Sequence, residues 1–234
     1  MDDHRLVLAV VSAFMMLLAG CASQVAAPGN SEREPAEFPG EDYRGLLAQG
    51  KPVFRVDPDR SLIVIEVRRG GSLAQFGHDH VVASHDVAGN VAPDDGRGDL
   101  WVPLDALVVD EPALRAEAGF ETQPSPDDIA GTRRNMLERV LETDRYPNAL
   151  VSLSEMGGTG RAKRLRVAIT LHGTTRSVET EAQFDMTADE VVAAGTIAID
   201  QSQFGIAPFS ALGGALAVQD RVKISFRIRA RWVE

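Results

Sequence analysis

The sequence predicts an all-β fold, an eight-stranded antiparallel barrel with one short helix in a long crossover between strands. Apolar and polar residues alternate with a period of two over about eight segments after residue 53. Turn-forming residues such as Asp94-Asp95-Gly96 and Gly157-Gly158 separate these segments, which favours antiparallel neighbours. Strands with one apolar face must hide that face and their edges, so we expect a closed barrel, with a two-sheet sandwich as the alternative.

Three segments show the alternation most clearly. Residues 222–232 alternate apolar residues with Lys, Ser and Arg, and the segments at 164–172 and 177–186 follow the same pattern. The other strand candidates are Ser61–Arg68, Val81–Val91, Gly98–Val108, Ala149–Glu155 and Val191–Asp200. We expect the interior to be lined, and any ligand contacted, by Val167, Ile169, Leu171, Ala182, Phe184, Ile224, Phe226 and Ile228.

One segment departs from the strand pattern and predicts a helix over residues 126–143. Ser125-Pro126-Asp127-Asp128 is typical of a helix start, with a capping serine, a proline at the first position and acidic residues in the first turn. Apolar residues then recur on one helical face, and Tyr146-Pro147 ends the element. Because this helix lies in a long crossover, we expect it to cover a mouth or a side of the barrel.

The first twenty residues predict an export signal. Leu6 to Gly20 is an apolar run of a length that suits a signal peptide better than a membrane span. It ends in Leu18-Ala19-Gly20-Cys21, which resembles a bacterial lipobox, and Cys21 is the only cysteine of the chain. We therefore expect residues 1–20 to be removed and Cys21 to be acylated; an ordinary cleaved signal with an accidental cysteine is the alternative.

Composition divides the remainder into a linker and a folded domain. Residues 21–52 are rich in Pro, Gly and acidic residues with weak apolar periodicity, so we interpret them as a flexible, lipid-anchored tether. Residues 53–234 form the predicted barrel domain. The formal net charge of −10 repels phosphate backbones, which argues against nucleic-acid binding.

The sequence offers little for catalysis. Ser84, His85 and Asp86 are adjacent, but neighbours on a strand point to opposite faces and do not form a catalytic triad locally. Nucleophile-elbow, Walker and dinucleotide-binding motifs are absent from the sequence. We therefore expect a binding protein rather than an enzyme, with no cofactor other than a bound lipid or quinone.

Several passages, in order along the chain, resemble the YceI-like family of periplasmic polyisoprenoid-binding proteins. They are Phe54–Pro58 with Ser61, Arg134–Leu137, Asp144–Ala149, Leu171–Thr175 and Ile199–Ile206. The resemblance implies a lipocalin-like eight-stranded barrel whose apolar interior holds an isoprenoid chain. This sequence departs from the family pattern in a histidine-rich segment at Phe76–His80 and in an extra, partly helical-looking insertion at residues 111–124.

Together these features favour an exported lipoprotein on the periplasmic side of the outer membrane. Its barrel would carry or sense an isoprenoid or similar long-chain lipid, and the acylated Cys21 would hold it at the membrane. Two other hypotheses remain open from the sequence. One is a metal-binding or metal-dependent protein that uses histidines, and the other is a structural or stress-response barrel filled by its own side chains.

The histidines of the 76–80 segment are the candidate polar contacts. His78 and His80 are two residues apart and would share one face of an extended strand, whereas His85 would face the opposite side. Such a pair can bind zinc or copper when His85 or Asp79 adds a ligand. We expect instead that the pair marks a polar mouth of the barrel without a dedicated metal site; a headgroup contact and a plain structural role both remain open.

Overall fold

Eight long antiparallel strands close into a barrel, which confirms the predicted fold class. The computed structural model describes residues 34–233, so the predicted signal peptide, Cys21 and the first part of the predicted tether lie outside the described residues. The strands are β1 (Phe54–Val56), β2 (Leu62–Val67), β3 (Arg69–Gly70), β4 (His80–Ser84), β5 (Ala88–Ala92), β6 (Arg97–Pro103), β7 (Val108–Val109), β8 (Asn148–Thr159), β9 (Ala162–Leu171), β10 (Thr174–Met186), β11 (Glu190–Asp200), β12 (Ser210–Ala211), β13 (Leu216–Val218) and β14 (Arg221–Trp232).

Strand β14 closes the barrel. One edge of β14 pairs with β11 from Arg221 to Arg231. Its other edge pairs first with β2, where Ile224 lies opposite Ile65, and then with β1, where Ala230 lies opposite Val56. Strands β1 and β2 therefore form one barrel strand that is interrupted by a 3-10 turn.

The pairs β4/β5 and β6/β7 are interrupted barrel strands of the same kind. Strand β4 pairs with β2 and β7, while β5 pairs with β1 and β6. The order around the barrel is thus β1/β2, β4/β5, β6/β7, β8, β9, β10, β11 and β14. The eight strand candidates of the sequence correspond to these eight barrel strands. A separate small sheet joins β3, β13 and β12.

The predicted crossover helix is present and begins where the sequence places it. Helix α3 (Pro126–Asn135) has a capping box, in which Ser125 accepts from the Asp128 amide and the Asp128 carboxylate accepts from the Ser125 amide. A π-helical turn, Met136–Val140, extends α3, so the element ends slightly earlier than predicted. A second helix of the barrel domain, α2 (Pro112–Glu117), lies in the insertion.

The prediction of a flexible tether over residues 21–52 is wrong for residues 34–52. This stretch contains helix α1 (Gly40–Ala48), and the compact unit that contains the barrel begins at Glu34 rather than at residue 53. Phe38 and Tyr43 are buried against Trp101 on the outer face of the barrel, with the Phe38 and Trp101 rings 4.5 Å apart. The Tyr43 hydroxyl donates to Asp99 at 2.7 Å.

A few apolar side chains are enough to order this segment because the barrel offers them an apolar outer patch. Phe38, Tyr43, Leu46 and Leu47 pack on Trp101 and its neighbours and form a small core outside the barrel. None of the helices between residues 34 and 233 combines the length and apolar character that crossing a membrane requires.

Candidate functional site

The barrel interior contains an apolar cavity of about 190 Å³ that the protein's own side chains leave open. Every lining side chain except Ser84 is apolar. Seven of the predicted contact residues line this cavity: Val167, Ile169, Leu171, Phe184, Ile224, Phe226 and Ile228. We call it the deep cavity.

Ala182 is the exception among the predicted apolar contacts. Its side chain is buried in the wall and packs with Leu165 and Val167, but it does not reach the surface of the deep cavity. Ala182 therefore supports the wall and does not line the deep cavity.

A glycine opposite Phe226 shapes one side of the deep cavity. Gly195 on β11 lies beside Phe226 of β14, and a Cβ atom at Gly195 would come within 2.8 Å of the Phe226 ring. The ring can lie flat against the wall only because position 195 has no side chain.

The alternation of β14 is also as predicted here, since Arg227 is exposed.

A second apolar cavity of about 230 Å³ lies between the deep cavity and the crossover helix. The two cavities share lining residues, among them Ile65, Leu171 and Ile224. Met136 and Val140 of the π-helical turn line this upper cavity, so the crossover element covers this end of the barrel. Along β14 the lining runs from Ala230 to Val222, roughly 26 Å of strand.

A polar pocket of about 330 Å³ forms the outermost part of the same path. It is lined by His78, His80 and the two aspartates at the start of α3, Asp127 and Asp128. His80, Thr132, Asn135, Phe209 and Val218 line both this pocket and the upper cavity. The two predicted histidines therefore lie at a polar mouth that leads into the apolar interior.

His80 is held by a buried carboxylate. Its Nδ1 lies 2.6 Å from Oδ2 of Asp110, whose side chain is fully buried. The Val81 amide donates to the other carboxylate oxygen at 3.0 Å, and Arg115 donates to the same oxygen. Burial alone would raise the pKa of Asp110, but the hydrogen bonds from His80, Val81 and Arg115 outweigh it and hold that pKa below its ordinary value.

Arg115 comes from the insertion and is itself almost completely buried. Its guanidinium donates to the Asp79 carbonyl at 2.6 Å, to Asp110 and to the Thr122 carbonyl. The Phe120 ring packs on the guanidinium, 5.6 Å from its carbon. The sequence does not predict roles for Asp110 and Arg115, because nothing in the local pattern indicates that Asp110 pairs with a histidine thirty residues earlier or that Arg115 pairs with Asp110.

The other described histidines lie elsewhere. His85 is exposed and pairs with Glu111 at 2.8 Å, and His172 packs against Tyr146. Over residues 34–233, no three His, Cys, Asp or Glu side chains converge as a group that could hold a metal ion.

The fold and the site define a closed eight-stranded barrel of lipocalin-like architecture, with an apolar interior that leads to a polar mouth. The model of the YceI-like domain family matches residues 54–230, and the chain belongs to this family. The resemblance noted in the sequence is thereby confirmed.

Two solved structures have the same fold. One is a polyisoprenoid binding domain from Saccharophagus degradans, implicated in plant cell wall breakdown, with 12% identity and a TM-score of 0.54 over 77% of this chain and 99% of that chain. The other is Burkholderia cenocepacia BcnA, with 14% identity and a TM-score of 0.55 over 75% of this chain and 99% of that chain. By sequence, no curated protein matches this chain.

Proposed function

We propose that the barrel binds an isoprenoid or a similar long-chain lipid, as a carrier or sensor of that lipid. The observation that carries the proposal is the apolar volume that the side chains leave open. At about 24 cal/mol per Å³, a cavity of the size of the deep cavity costs a protein roughly 4 to 5 kcal/mol. That cost is a large fraction of the stability of a typical domain, about 5 to 15 kcal/mol. A lipid that fills the interior offsets it.

The shape of the interior favours a chain molecule over a compact metabolite. The deep and upper cavities follow one another along the barrel and are lined mainly by apolar side chains, whereas the mouth is polar. A polyprenol or a quinone with an isoprenoid tail has the matching distribution of polarity. The polyisoprenoid binding domain of Saccharophagus degradans, which has the same fold, supports this ligand class.

The remaining parts of the proposal rest on the sequence. We infer that the chain is exported, acylated at Cys21 and held at the periplasmic side of the outer membrane. Anchoring there puts the barrel next to a source of lipid. We further propose that the protein binds and does not catalyse, with the lipid as its only bound small molecule.

Mass spectrometry of organic-solvent extracts from the purified protein tests the ligand. The decisive variant is Ala193→Phe, because Ala193 lines the deep cavity and a phenyl ring there occupies its volume with apolar atoms. Ala194→Phe is the matched control, since Ala194 is the next residue of β11 and lines neither the deep cavity nor the upper cavity. We expect a near-stoichiometric long-chain lipid in the wild type and in the control, and its loss in Ala193→Phe. Equal lipid content in both variants would contradict the proposal.

A further inference from the structure

The histidine-rich segment at residues 76–80 and the insertion at residues 111–124 meet at the mouth of the barrel. The histidine-rich segment supplies Asp79 and His80, and the insertion supplies Arg115. Arg115 donates to the Asp79 carbonyl and to Asp110, and Asp110 in turn holds His80. The insertion thus builds a buried support beneath one histidine that faces the ligand path.

This support fixes which ring nitrogen of His80 carries a proton. An ionised Asp110 has only acceptor oxygens, so the Nδ1–H of His80 must donate to it. Among the residues that the structure describes, the only hydrogen bond of the ring is this one at Nδ1. In the neutral ring, Nε2 is therefore an acceptor for a group in the mouth.

The other side chains of the polar pocket indicate the charge of the group that fits. Asp127 and Asp128 lie on its helix side, and two serine hydrogen bonds hold the pKa of Asp128 below its ordinary value. The cation on the opposite side, Arg69, lies within 3.9 Å of Asp79 and donates to the Gly77 carbonyl. A phosphate would therefore face two aspartates and an arginine that already has partners.

His78 adds a second polar group to the same pocket. Its ring centroid lies 6.3 Å from that of His80, and its Nδ1 is buried without a hydrogen-bond partner in the protein. A buried polar atom without a partner is destabilising, so a ligand group that hydrogen-bonds to it is favoured.

We propose that His80 binds the headgroup of the lipid by accepting a hydrogen bond from a ligand hydroxyl at Nε2. The preferred ligand class is then an uncharged, hydroxyl-bearing isoprenoid, such as a prenol or a quinol, rather than a prenyl phosphate. Asp110 and Arg115 are positioning residues that act through His80. The inference rests on the proposed function, because it requires the isoprenoid tail to lie in the apolar cavities.

Four ligands with the same isoprenoid chain test the inference by titration into the full-length protein. They are the alcohol, its methyl ether, its monophosphate and the hydrocarbon without a headgroup. We expect the wild type to bind the alcohol about 3- to 10-fold more tightly than the ether, the effect of one neutral hydrogen bond. The phosphate should bind no more tightly than the alcohol.

Two variants test whether His80 causes the preference for the alcohol over the methyl ether. His80→Phe should lose the discrimination between alcohol and ether and still bind the hydrocarbon as the wild type does. His85→Phe is the control, because His85 is an exposed histidine outside the mouth, and it should keep the preference. The comparison of ligands on the wild type stands even where a variant fails to fold.

The outcomes separate this inference from the proposed function. Equal affinity for alcohol and ether, or tighter binding of the phosphate, overturns the inference while the lipid-binding function stands. Retention of the preference in folded His80→Phe also overturns it. If none of the four ligands binds, the hydrocarbon included, the proposed function fails and this inference fails with it.

Discussion

Ile224 and Arg227 lie three residues apart on β14 and have opposite surroundings. Ile224 lines both apolar cavities, whereas Arg227 is exposed. We expect Ile224→Arg to lower the free energy of unfolding by several kcal/mol, because its guanidinium has no partner in the apolar interior. Arg227→Glu should change it by about 0.5 kcal/mol or less. Urea unfolding of both variants is the measurement, and equal losses would mean that the assigned facing of β14 is wrong.

The lowered pKa of Asp110 predicts how the stability of the protein depends on pH. Its pKa is lowered in the folded protein, so the stability that it contributes is present above the unfolded pKa of about 3.9 and is lost as the pH falls through the folded pKa. Asp110→Asn leaves the buried Arg115 without its counter-charge, which typically costs about 3 to 5 kcal/mol. The difference between wild type and variant should therefore be large at neutral pH and shrink in acid.

Unfolding free energies of both proteins across that pH range check this prediction. A difference that stays constant down to acid pH would show that the Asp110 charge contributes nothing through Arg115 or His80.

The position of a residue can be predicted from the sequence when it is determined by the local pattern alone. The facing of Val167, Ile169 and Ile224 depends only on a period of two, so it is visible in the sequence. Whether an inward-facing residue such as Ala182 reaches the cavity surface depends on the tertiary packing around it, which the period of two does not encode. The pairing of His80 with Asp110 and Arg115 depends on tertiary contacts between separate segments, for which no local pattern exists.

Helix α3 and its π-helical turn cover the upper cavity, and the capping box at Ser125 stabilises the start of this helix. Loss of a capping serine typically costs about 1 kcal/mol. Ser125→Ala should therefore accelerate amide hydrogen exchange over residues 126–140 and speed the release of a bound lipid. Ser154→Ala, an exposed serine on β8, is the control and should change neither rate. Unchanged exchange over 126–140 in Ser125→Ala would argue against a cap that stabilises this cover.

Elements differ in how far the sequence predicts them. Helix α3 is visible because its capping residues and its apolar spacing agree. Helix α1 is not, because it lies in a segment rich in Pro and Gly, and its order depends on Phe38 and Tyr43 meeting an outer patch around Trp101. The π-helical turn after α3 leaves no signal in the apolar spacing that distinguishes it from a continued α-helix.

At the scale of the whole molecule, the predicted anchor has its own test. Cys21→Ser removes the thiol that would be acylated, and two or more acyl chains give stable anchoring at about 0.8 kcal/mol per buried CH₂ group. We expect the variant to accumulate as an unprocessed or soluble protein. Membrane fractionation of the cells checks this, and a distribution identical to that of the wild type would contradict the anchor.

The central claim is that an isoprenoid chain lies within the barrel, and the dependence of affinity on chain length tests it most directly. Dissociation constants for prenols of increasing length should fall with each added isoprene unit, since each buried CH₂ group contributes about 0.8 kcal/mol, until the apolar cavities are filled. Beyond that length the affinity should level off, and Ala193→Phe should weaken the binding of long chains and end the rise in affinity at a shorter chain. Affinity that is independent of chain length, in the wild type and in Ala193→Phe alike, would contradict the account.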